Sequence, residues 1–530
     1  MIADDRNIAV RVNKAFYHLT ANLEELPVCL EITVQIENWN ARLTLPVHQY
    51  NAKGIQAHFP LLRFRNRRAQ AAFDDTLTVD LINGLDDGSI QRGYYFERAG
   101  VNTLPDGRIC FICGSELLGS CGRTYMTAPT INTIHLLGQG ASLSQLFSTL
   151  VWSPKQVLPV LAYVLLTSIR SLLTGSGIDL QAVLYIVGKQ GLGKTTLATR
   201  IAGIYEKNGV PVGIVQAGST HAAVNALMVN LRDQPIVIDD LCLSAGRDTA
   251  RKCVELASKL IRQGTGSIPI IKRAGGDTVE LPCGAGLIMT AEFHLENLSD
   301  LTRCIIVPVN EPLDIPSELN AHLVGAAVRH YLTWFIDHVH EEVESFRNAV
   351  HHAAANCGTD IRLATNYACL ITAFYSFLRS FNQIESPDVW ASQLLSMMRQ
   401  ALADAQAQHQ AMIGQLKDSF PAGNLSFVIL EGYHEGAFNL TKVLEKLYKH
   451  DGILWKDDLC LRKEALIQFV RQQPGYHDWT SHRITRALKD IGAFVLQEEN
   501  ATTVRLSKKP DIPRVYRIRM KVLAETAEKY

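Results

Sequence analysis

A stretch of nine residues combines glycines, lysines and two threonines at a spacing suited to binding phosphate. It consists of Gly188, Lys189, Gln190, Gly191, Leu192, Gly193, Lys194, Thr195 and Thr196. Glycines let successive backbone N–H groups converge on phosphate oxygens, and a helix starting at the loop adds its positive dipole end. Lys194 is then expected to reach the β- and γ-phosphates, and the Thr195 hydroxyl to ligate Mg²⁺. The stretch therefore predicts a site for ATP and its magnesium ion.

Two adjacent acids follow an apolar run at positions 234–240, some 44 residues beyond the loop. An acid at the end of such a strand can hold Mg²⁺ through water, and its neighbour can orient or deprotonate the attacking water. We assign Asp239 to the metal and Asp240 to the water. Asp240 stands where many ATPases with a phosphate loop of this kind carry glutamate. The aspartate side chain is about one methylene shorter, so its carboxylate reaches less far. The alternative is that the two acids only cap a strand.

Two later positions would complete a hydrolytic cycle. Thr290 ends an apolar run, and a polar side chain at the tip of a strand beside the loop can sense the γ-phosphate. Arg303 follows the segment 298–302, which resembles the serine-then-arginine element of ring-forming AAA+ ATPases. In those proteins the arginine reaches the nucleotide of a neighbouring subunit and stabilises transition-state charge. The alternative for Arg303 is a solvated arginine at the start of a strand.

Two regions carry candidate DNA contacts. Two β-rich arms around a Gly-Gly turn predict a hairpin over 268–281, with Lys272 and Arg273 at its tip. It is similar to the hairpins that hexameric DNA helicases project into their central channel. The alternative is a surface hairpin with solvated charges.

The C-terminal region has the element order of a winged helix. A helix is expected within 460–476, a second begins at Ser481 as its N-cap, and two short arms flank 499–502. Positions 481–521 hold ten basic and four acidic residues, a charge balance suited to phosphate. The candidate DNA contacts there are Arg483, Arg486, Lys508 and Lys509. Winged helices also mediate protein contacts, which is the alternative.

The pattern along the chain predicts a multidomain α/β protein. Residues 1–145 alternate in short runs, with turn signals at 86–88 and 105–107, as in an antiparallel sheet of hairpins. Residues 146–317 alternate buried strands with helical segments around the phosphate loop, as in a parallel sheet. Residues 318–420 read as helical, 421–424 as a linker, and 425–530 as the winged-helix domain.

The amino-acid composition bears on the binding partners and on the cellular compartment of the protein. The 530 residues include 52 basic and 52 acidic ones, so any affinity for nucleic acid or membrane must be local. The longest apolar run, 157–169, contains a proline and is too short to span a membrane. Eleven cysteines, scattered and odd in number, together with an N-terminus without a signal-like apolar stretch, favour the cytoplasm.

Taken together, these motifs resemble one group of ATPases. They are IVGKQGLGKTT at 186–196, Ser219-Thr220, PIVIDDL at 235–241, GLIMTAE at 286–292 and LSDLTR at 298–303. The group is carried by plasmids, phages and integrative elements and includes the self-loading, MCM-like helicases of staphylococcal cassette chromosomes. The resemblance is good over 146–330 and agrees only in order for a helical lid and a C-terminal winged helix.

The resemblance implies a hexameric AAA+ motor that hydrolyses ATP, translocates on single-stranded or forked DNA, and helps a mobile element replicate. The alternative is an NTP-driven regulatory or defence switch that binds DNA or protein without unwinding. Stimulation of hydrolysis by single-stranded DNA and ATP-dependent strand displacement discriminate between the two. A metabolic kinase is disfavoured because the sequence offers no acceptor site.

Overall fold

The computed structural model divides the chain into two compact units, Met1–His409 and Gln410–Tyr530. It describes all residues except 1, 4–7, 20–26, 37–38, 60–61, 141–142, 243–246, 275–276, 296–297, 357–360, 383–387, 420–421, 474–475, 477–478, 496–502, 508, 510–511 and 528–530. Among the described helices, none combines the length and the apolar character needed to cross a membrane. The finer division into four domains stays a prediction.

The N-terminal segment of the first unit is a mixed sheet packed against a long helix. Its five-stranded sheet has the order β10-β6-β2-β3-β4, and a three-stranded sheet has the order β7-β8-β9. The elements are β1 Ile2–Ala3, β2 Ile8–His18, β3 Cys29–Ile36, β4 Trp39–Pro46, a 3-10 helix Val47–Gln49, α1 Ala52–His58, β5 Arg63–Phe64, α2 Arg67–Asp86, β6 Gln91–Phe96, β7 Gly100–Thr103, β8 Ile109–Cys113, β9 Glu116–Leu118, β10 Tyr125–Thr127 and β11 Ile134–Leu136.

This segment differs from the predicted sheet of hairpins in two ways. Strand β6 pairs in parallel with both β2 and β10, so the sheet is mixed. The turn signal at 86–88 ends the 20-residue helix α2 and closes no hairpin. Leu77 and Leu81, four residues apart on α2, are buried in one cluster with the sheet. The signal at 105–107 does connect the antiparallel strands β7 and β8, as predicted.

A five-stranded, all-parallel sheet forms the centre of the first unit. Its order is β15-β16-β19-β12-β20, and it lies within the segment 146–317, for which the sequence predicts a parallel sheet. The elements of this region are α3 Leu143–Leu150, α4 Pro154–Thr167, α5 Arg170–Gly175, β12 Val183–Gly188, α6 Lys194–Ala202, β13 Tyr205–Lys207, β14 Val210–Pro211, β15 Ile214–Gln216, α7 His221–Asn230, β16 Pro235–Leu241, α8 Arg247–Gly264, β17 Ile270–Ala274, β18 Asp277–Leu281, β19 Gly286–Ala291, α9 Leu298–Leu301 and β20 Cys304–Val309.

The apolar run at 157–169 lies almost entirely in helix α4, which packs against α6, β19 and β20. Every residue of α4 from Val157 to Thr167 is buried, because the helix is apolar on all sides. Each fully buried leucine or valine contributes roughly 1.5–3 kcal/mol of hydrophobic stabilisation. The helix thus holds the sheet, and through it the loop between β12 and α6, in a rigid core.

Four helices complete the first unit and lead into the second. They are α10 Ala321–Asp337, α11 Val339–Asn356, α12 Ile361–Asn382 and α13 Asp388–Ser419. Helix α12 packs against α4, α10, α11 and β20, which ties these helices to the parallel sheet. Most of the described residues in 318–420 are therefore helical, as the sequence predicts.

The second unit contains a four-stranded sheet of order β21-β22-β23-β24 with four helices. Its elements are α14 Ala422–His434, β21 Leu440–Thr441, a 3-10 helix Leu444–Lys449, β22 Gly452–Trp455, β23 Asp458–Arg462, α15 Lys463–Gln472, α16 Ser481–Asp490, β24 Val515–Arg519 and α17 Met520–Ala527. The helices share one core cluster with the sheet.

Several expectations for this unit need correction. The predicted linker at 421–424 instead leads into α14, whose helix begins at Ala422. The expected first helix is preceded by strand β23, which occupies 458–462. Thr480 caps α16 by accepting a hydrogen bond from the Arg483 N–H, so Ser481 is the first helical residue. The hairpin tip at 499–502 lies outside the described residues. Phe494, directly before the first arm, bridges Ile518 of β24, and Val504 in the second arm bridges Val515 of the same strand.

Candidate active site

The carboxyl ends of β12, β16 and β19 meet at one edge of the parallel sheet and form a cleft of about 390 Å³. Ligand sites of open α/β sheets lie at this edge because the loops that leave the strands there face one another. The cleft is lined by Gln190, Gly191, Gly193, Lys194, Thr195, Thr196, Gln216, Asp239, Asp240, Leu241, Thr290, Ala291 and Glu292. The predicted phosphate loop, the acid pair and Thr290 thus share one cleft.

The loop between β12 and α6 has the backbone conformation that its glycines predict. Gly191 and Gly193 have φ values of +80° and +89°, in the left-handed region that glycine adopts without steric cost. A Cβ added to Gly191 would meet no atom within 4 Å, so the space above the loop is open to a ligand. Helix α6 begins at Lys194, and its first N–H groups point to the same space.

Lys194 is buried although it carries a charge, with 7% of its surface exposed. Its Nζ donates a hydrogen bond of 2.7 Å to the backbone carbonyl of Lys189, across the loop. Burying an ammonium group is costly unless it is hydrogen-bonded. One loop carbonyl satisfies only one of its three donors, so the remaining donors are available to phosphate oxygens in the cleft.

A chain of short hydrogen bonds joins the loop to the acid pair. The Thr195 hydroxyl donates to Asp239 Oδ1 at 2.8 Å, and the Thr290 hydroxyl donates to the same oxygen at 2.6 Å. The other carboxylate oxygen of Asp239 accepts a bond of 3.3 Å from Gln216 Nε2. Three strands and one helix therefore fix the position of the buried Asp239 carboxylate.

Asp240 occupies a bulge in strand β16. The pairing with β19 passes from Ile238–Met289 to Leu241–Ala291, so one extra residue is accommodated in β16. Asp240 takes a φ of +65°, which aspartate tolerates better than most residues. Its N–H donates to the Thr290 hydroxyl at 3.1 Å, and its side chain is exposed to the cleft. The bulge lets two consecutive residues differ in role, with Asp239 buried against the loop and Asp240 facing solvent.

Two cleft residues were not singled out from the sequence. Gln216 ends β15, an edge strand, and only the pairing Gln216–Asp239 between β15 and β16 brings it to the site. Glu292 is half-buried and lines the same cleft as Asp240, and its side chain is one methylene longer. Glu292 was contained in the motif at 286–292, and its position two residues after Thr290 was the available signal.

Thr290 has a testable role because its hydroxyl contacts both acids. Thr290→Val keeps the side-chain shape but removes a donor from Asp239 and leaves the Asp240 N–H without this acceptor. We expect about a tenfold to hundredfold loss of ATP hydrolysis and a loss of about 1–3 kcal/mol of unfolding free energy. Steady-state phosphate release and denaturant unfolding measure the two effects. Thr290→Ser retains the hydroxyl and should retain most activity; equal losses in both variants would contradict this role.

Arg303 lies at the opposite edge of the sheet. It directly precedes β20, whose Cys304 pairs with Val183 at the start of β12, whereas Val309 pairs with Gly188 at the loop. Five residue steps at about 3.3 Å each separate the two ends by about 16 Å. The Arg303 guanidinium donates to Ser267 Oγ at 2.9 Å and to Ser299 Oγ at 2.5 Å. It is thus held in place, and it does not face the phosphate loop of its own chain.

The surroundings of Arg303 are rich in positive charge. Burial, followed by the positive charge of Arg362, lowers the pKa of Arg303, while Asp300 acts in the opposite direction. Asp300 itself is engaged by Arg262 at 2.8 Å and by the Ser258 hydroxyl. Such a cluster is suited to an anion brought by another molecule.

The predicted DNA contacts are distributed over both units. Strands β17 and β18 form the predicted hairpin, in which Lys272 pairs with Val279 and Arg273 pairs with Thr278 next to the turn. In the second unit, Arg483 lies over the Trp479 ring at 4.6 Å, and Arg486 is 3.9 Å from Asp490 on the exposed side of α16. Lys509 is exposed and bonds Glu445 at 3.1 Å, and Lys508 lies outside the described residues.

The polar groups that line the cleft are of the kinds that bind a triphosphate and its magnesium ion. Thr195 and Asp239, joined by their hydrogen bond, present a hydroxyl and a carboxylate oxygen to one position, and Mg²⁺ in such sites takes its other ligands from phosphate and water. Among the described residues, no group of three or more His, Cys, Asp or Glu side chains is placed to hold a metal by itself. One carboxylate and one hydroxyl would hold such an ion only together with ligands from phosphate or water.

Comparison with known proteins identifies a shared fold. No family model matches the chain, and no curated protein matches it. Among solved structures, the chain is similar to "SCCmec type IV Cch - active helicase", with a TM-score of 0.55 and 15% sequence identity. The match covers 98% of this chain and 95% of the other, so both units take part. At this identity the similarity shows that the chain has the fold of that protein.

Proposed function

We propose that this protein is an ATP-dependent DNA helicase or translocase that works as a ring of identical subunits. The observation that carries the proposal is the cleft in which Lys194, Thr195, Asp239, Asp240 and Thr290 converge. A phosphate loop alone supports phosphate binding, whereas a buried acid bonded to its threonine and an exposed acid beside it support hydrolysis. The exposed acid faces the space where a γ-phosphate would lie.

The residues of the cleft divide the work of hydrolysis. The loop N–H groups and Lys194 bind and orient the β- and γ-phosphates, and Thr195 with Asp239 would hold Mg²⁺, which when bound neutralises phosphate charge. Asp240 orients the attacking water and accepts its proton, with Glu292 as the second carboxylate within the same cleft. Thr290 keeps the two acids in register through its hydrogen bonds to both.

The position of Arg303 supports assembly into a ring. About 16 Å of β20 separate the start of the strand, next to Arg303, from Val309 beside its own phosphate loop, so we propose that Arg303 acts on the nucleotide of another subunit. A closed ring lets every subunit donate one arginine and receive one. We propose a hexamer, in keeping with the family that the sequence resembles.

We propose that the protein translocates along DNA. The β17–β18 hairpin carries Lys272 and Arg273 next to its turn, and α16 carries Arg483 and Arg486. The similar solved structure is described as an active helicase, which supports unwinding as the output for this chain. With the motifs at 186–196 and 298–303, this favours a role in replicating a mobile genetic element.

The proposal predicts two linked activities. Wild-type protein should hydrolyse ATP faster when single-stranded DNA is added and should displace a labelled strand from a forked duplex only with ATP and Mg²⁺. The double variant Lys272→Ala/Arg273→Ala should lose strand displacement by at least about tenfold while retaining DNA-independent hydrolysis, since the hairpin lies outside the cleft. Phosphate release and gel-resolved displacement measure the two activities. Stimulated hydrolysis without displacement on forked, 5′-tailed and 3′-tailed substrates would identify a DNA-bound switch instead.

A further inference from the structure

The sheet of the second unit has two faces, and the predicted DNA contacts on α16 concern only one of them. Leu459, Leu461 and Ile518 point to the face that packs against α14–α17, where Ile484 and Leu488 of α16 are buried. The alternating residues Cys460 and Val515 point to the other face and belong to a separate cluster, which also holds Ile453 and Leu447, with Leu444 and Trp455 packed against it. We call this second side the 3-10 face.

The 3-10 helix Leu444–Lys449 covers part of this face. Residues three apart are eclipsed in a 3-10 helix, so the six residues form three stripes. Leu444 and Leu447 form the stripe that packs on the sheet. Lys446 and Lys449 form a second stripe, and both are exposed. The helix therefore packs on the sheet through its two leucines, and its two lysines lie in line on its exposed surface.

The 3-10 face has an excess of positive charge. The described residues of its segments, 442–458 and 504–517, include eight basic and four acidic ones. Two of the acids already face bases of the same surface: Glu445 bonds Lys509 at 3.1 Å, and Asp458 bonds Arg517 at 2.7 Å. The excess therefore falls on exposed bases such as Lys442, Lys446, Lys449 and Lys456.

An exposed aromatic ring lies among these bases. Tyr448 has 56% of its surface exposed, unusually much for a tyrosine, and the Lys449 ammonium lies 5.4 Å from its ring centroid. Trp455 is half-buried on the same side of the sheet. Flat aromatic faces stack on bases of any sequence, and adjacent lysines bind the backbone that joins them. Single-stranded nucleic acid is the partner that matches both features.

We propose that the 3-10 face binds single-stranded nucleic acid, with Tyr448 as the stacking surface and Lys446 and Lys449 on the phosphates. This contact is separate from that of α16, since the two lie on opposite faces of one sheet. Lys509, through Glu445, belongs to the 3-10 face and not to the face of α16. The inference extends the proposed function by a second strand contact, and it requires neither nucleotide nor hydrolysis.

The test is binding of the full-length chain to a fluorescein-labelled dT30 strand without nucleotide, followed by anisotropy. Tyr448→Ala should weaken binding by about tenfold, within the range of base–aromatic stacking, and Tyr448→Phe should bind as wild type. Lys446→Ala/Lys449→Ala should lower the slope of log affinity against log salt concentration by about 1.4, the value for two phosphates of a single strand. Lys207→Ala, which removes an exposed lysine of β13 in the first unit, is the control and should leave this slope unchanged.

The outcomes separate this inference from the proposed function. Tyr448→Ala binding equal to wild type overturns it, as does an unchanged salt slope in the lysine variant. Equal competition by poly-glutamate and unlabelled dT30 also overturns it, because the surface would then fit an acidic protein segment. If wild-type protein fails to hydrolyse ATP but shows the expected binding differences, the proposed function fails and this inference stands.

Discussion

Replacing Lys194 by alanine is expected to reduce ATP hydrolysis by at least about a hundredfold to a thousandfold and to weaken triphosphate binding. The side chain is buried at the base of the cleft, and its Nζ is held by the Lys189 carbonyl at 2.7 Å. Its charge is therefore fixed in place before a phosphate arrives, which is the condition under which such a charge is most effective. Phosphate release measures hydrolysis, and a fluorescent ATP analogue measures binding.

Protein stability should change much less than activity in the Lys194 variant. Alanine removes a buried charge together with its hydrogen bond, and these effects oppose each other. Lys207→Ala removes an exposed lysine at the end of strand β13 in the same region, outside the cleft, and serves as the matched control. Wild-type hydrolysis in the Lys194 variant would rule out the cleft as the site of the reaction.

The central part of the fold and site was predictable because its signals are local. Each strand of the parallel sheet is a continuous apolar run, and the chemistry-bearing residues directly follow three of these runs. Carboxyl ends of parallel strands meet at one edge, so Lys194, Asp239 and Thr290 had to come together once the strands were recognised. The hydrogen bond from Gln216 to Asp239 could not be predicted from the sequence, because only the pairing of the edge strand β15 with β16 brings the two residues together.

The flanking regions were less predictable because their structure depends on distant contacts. Helix α2 has few buried positions, so its periodicity is weak, and short alternating runs beside it suggested hairpins. In the second unit, strand β23 ends at Arg462 and α15 begins at the next residue. The sequence pattern there was therefore interpreted as one helix, although it contains a strand and a helix. Phe494 and Val504, on either side of the expected hairpin tip, bridge β24, a pairing that sequence spacing does not reveal.

Replacing Arg303 by alanine is the second change with a large expected effect, and it should act between subunits. We expect hydrolysis to fall by roughly a thousandfold or more at concentrations where the protein assembles, within the range for arginines that act in trans. Triphosphate binding should persist, since the cleft of the same chain contains no atom of Arg303. Arg399→Ala, on the exposed side of α13, is the matched control for loss of an arginine.

A mixing experiment distinguishes action in trans from a structural role. Arg303 bonds Ser267 and Ser299, so its loss could also disturb the local fold. A Lys194→Ala subunit retains Arg303, and an Arg303→Ala subunit retains an intact cleft. When the two inactive variants are mixed, interfaces that join an intact cleft to an intact Arg303 should restore part of the hydrolysis, with a maximum near equal amounts. A mixture as inactive as its components, despite co-assembly of the two variants, would show that Arg303 does not complete a neighbouring site. Recovery of activity would instead mean that the hydrolytic unit is the interface between two chains, with the phosphate loop as one half of it.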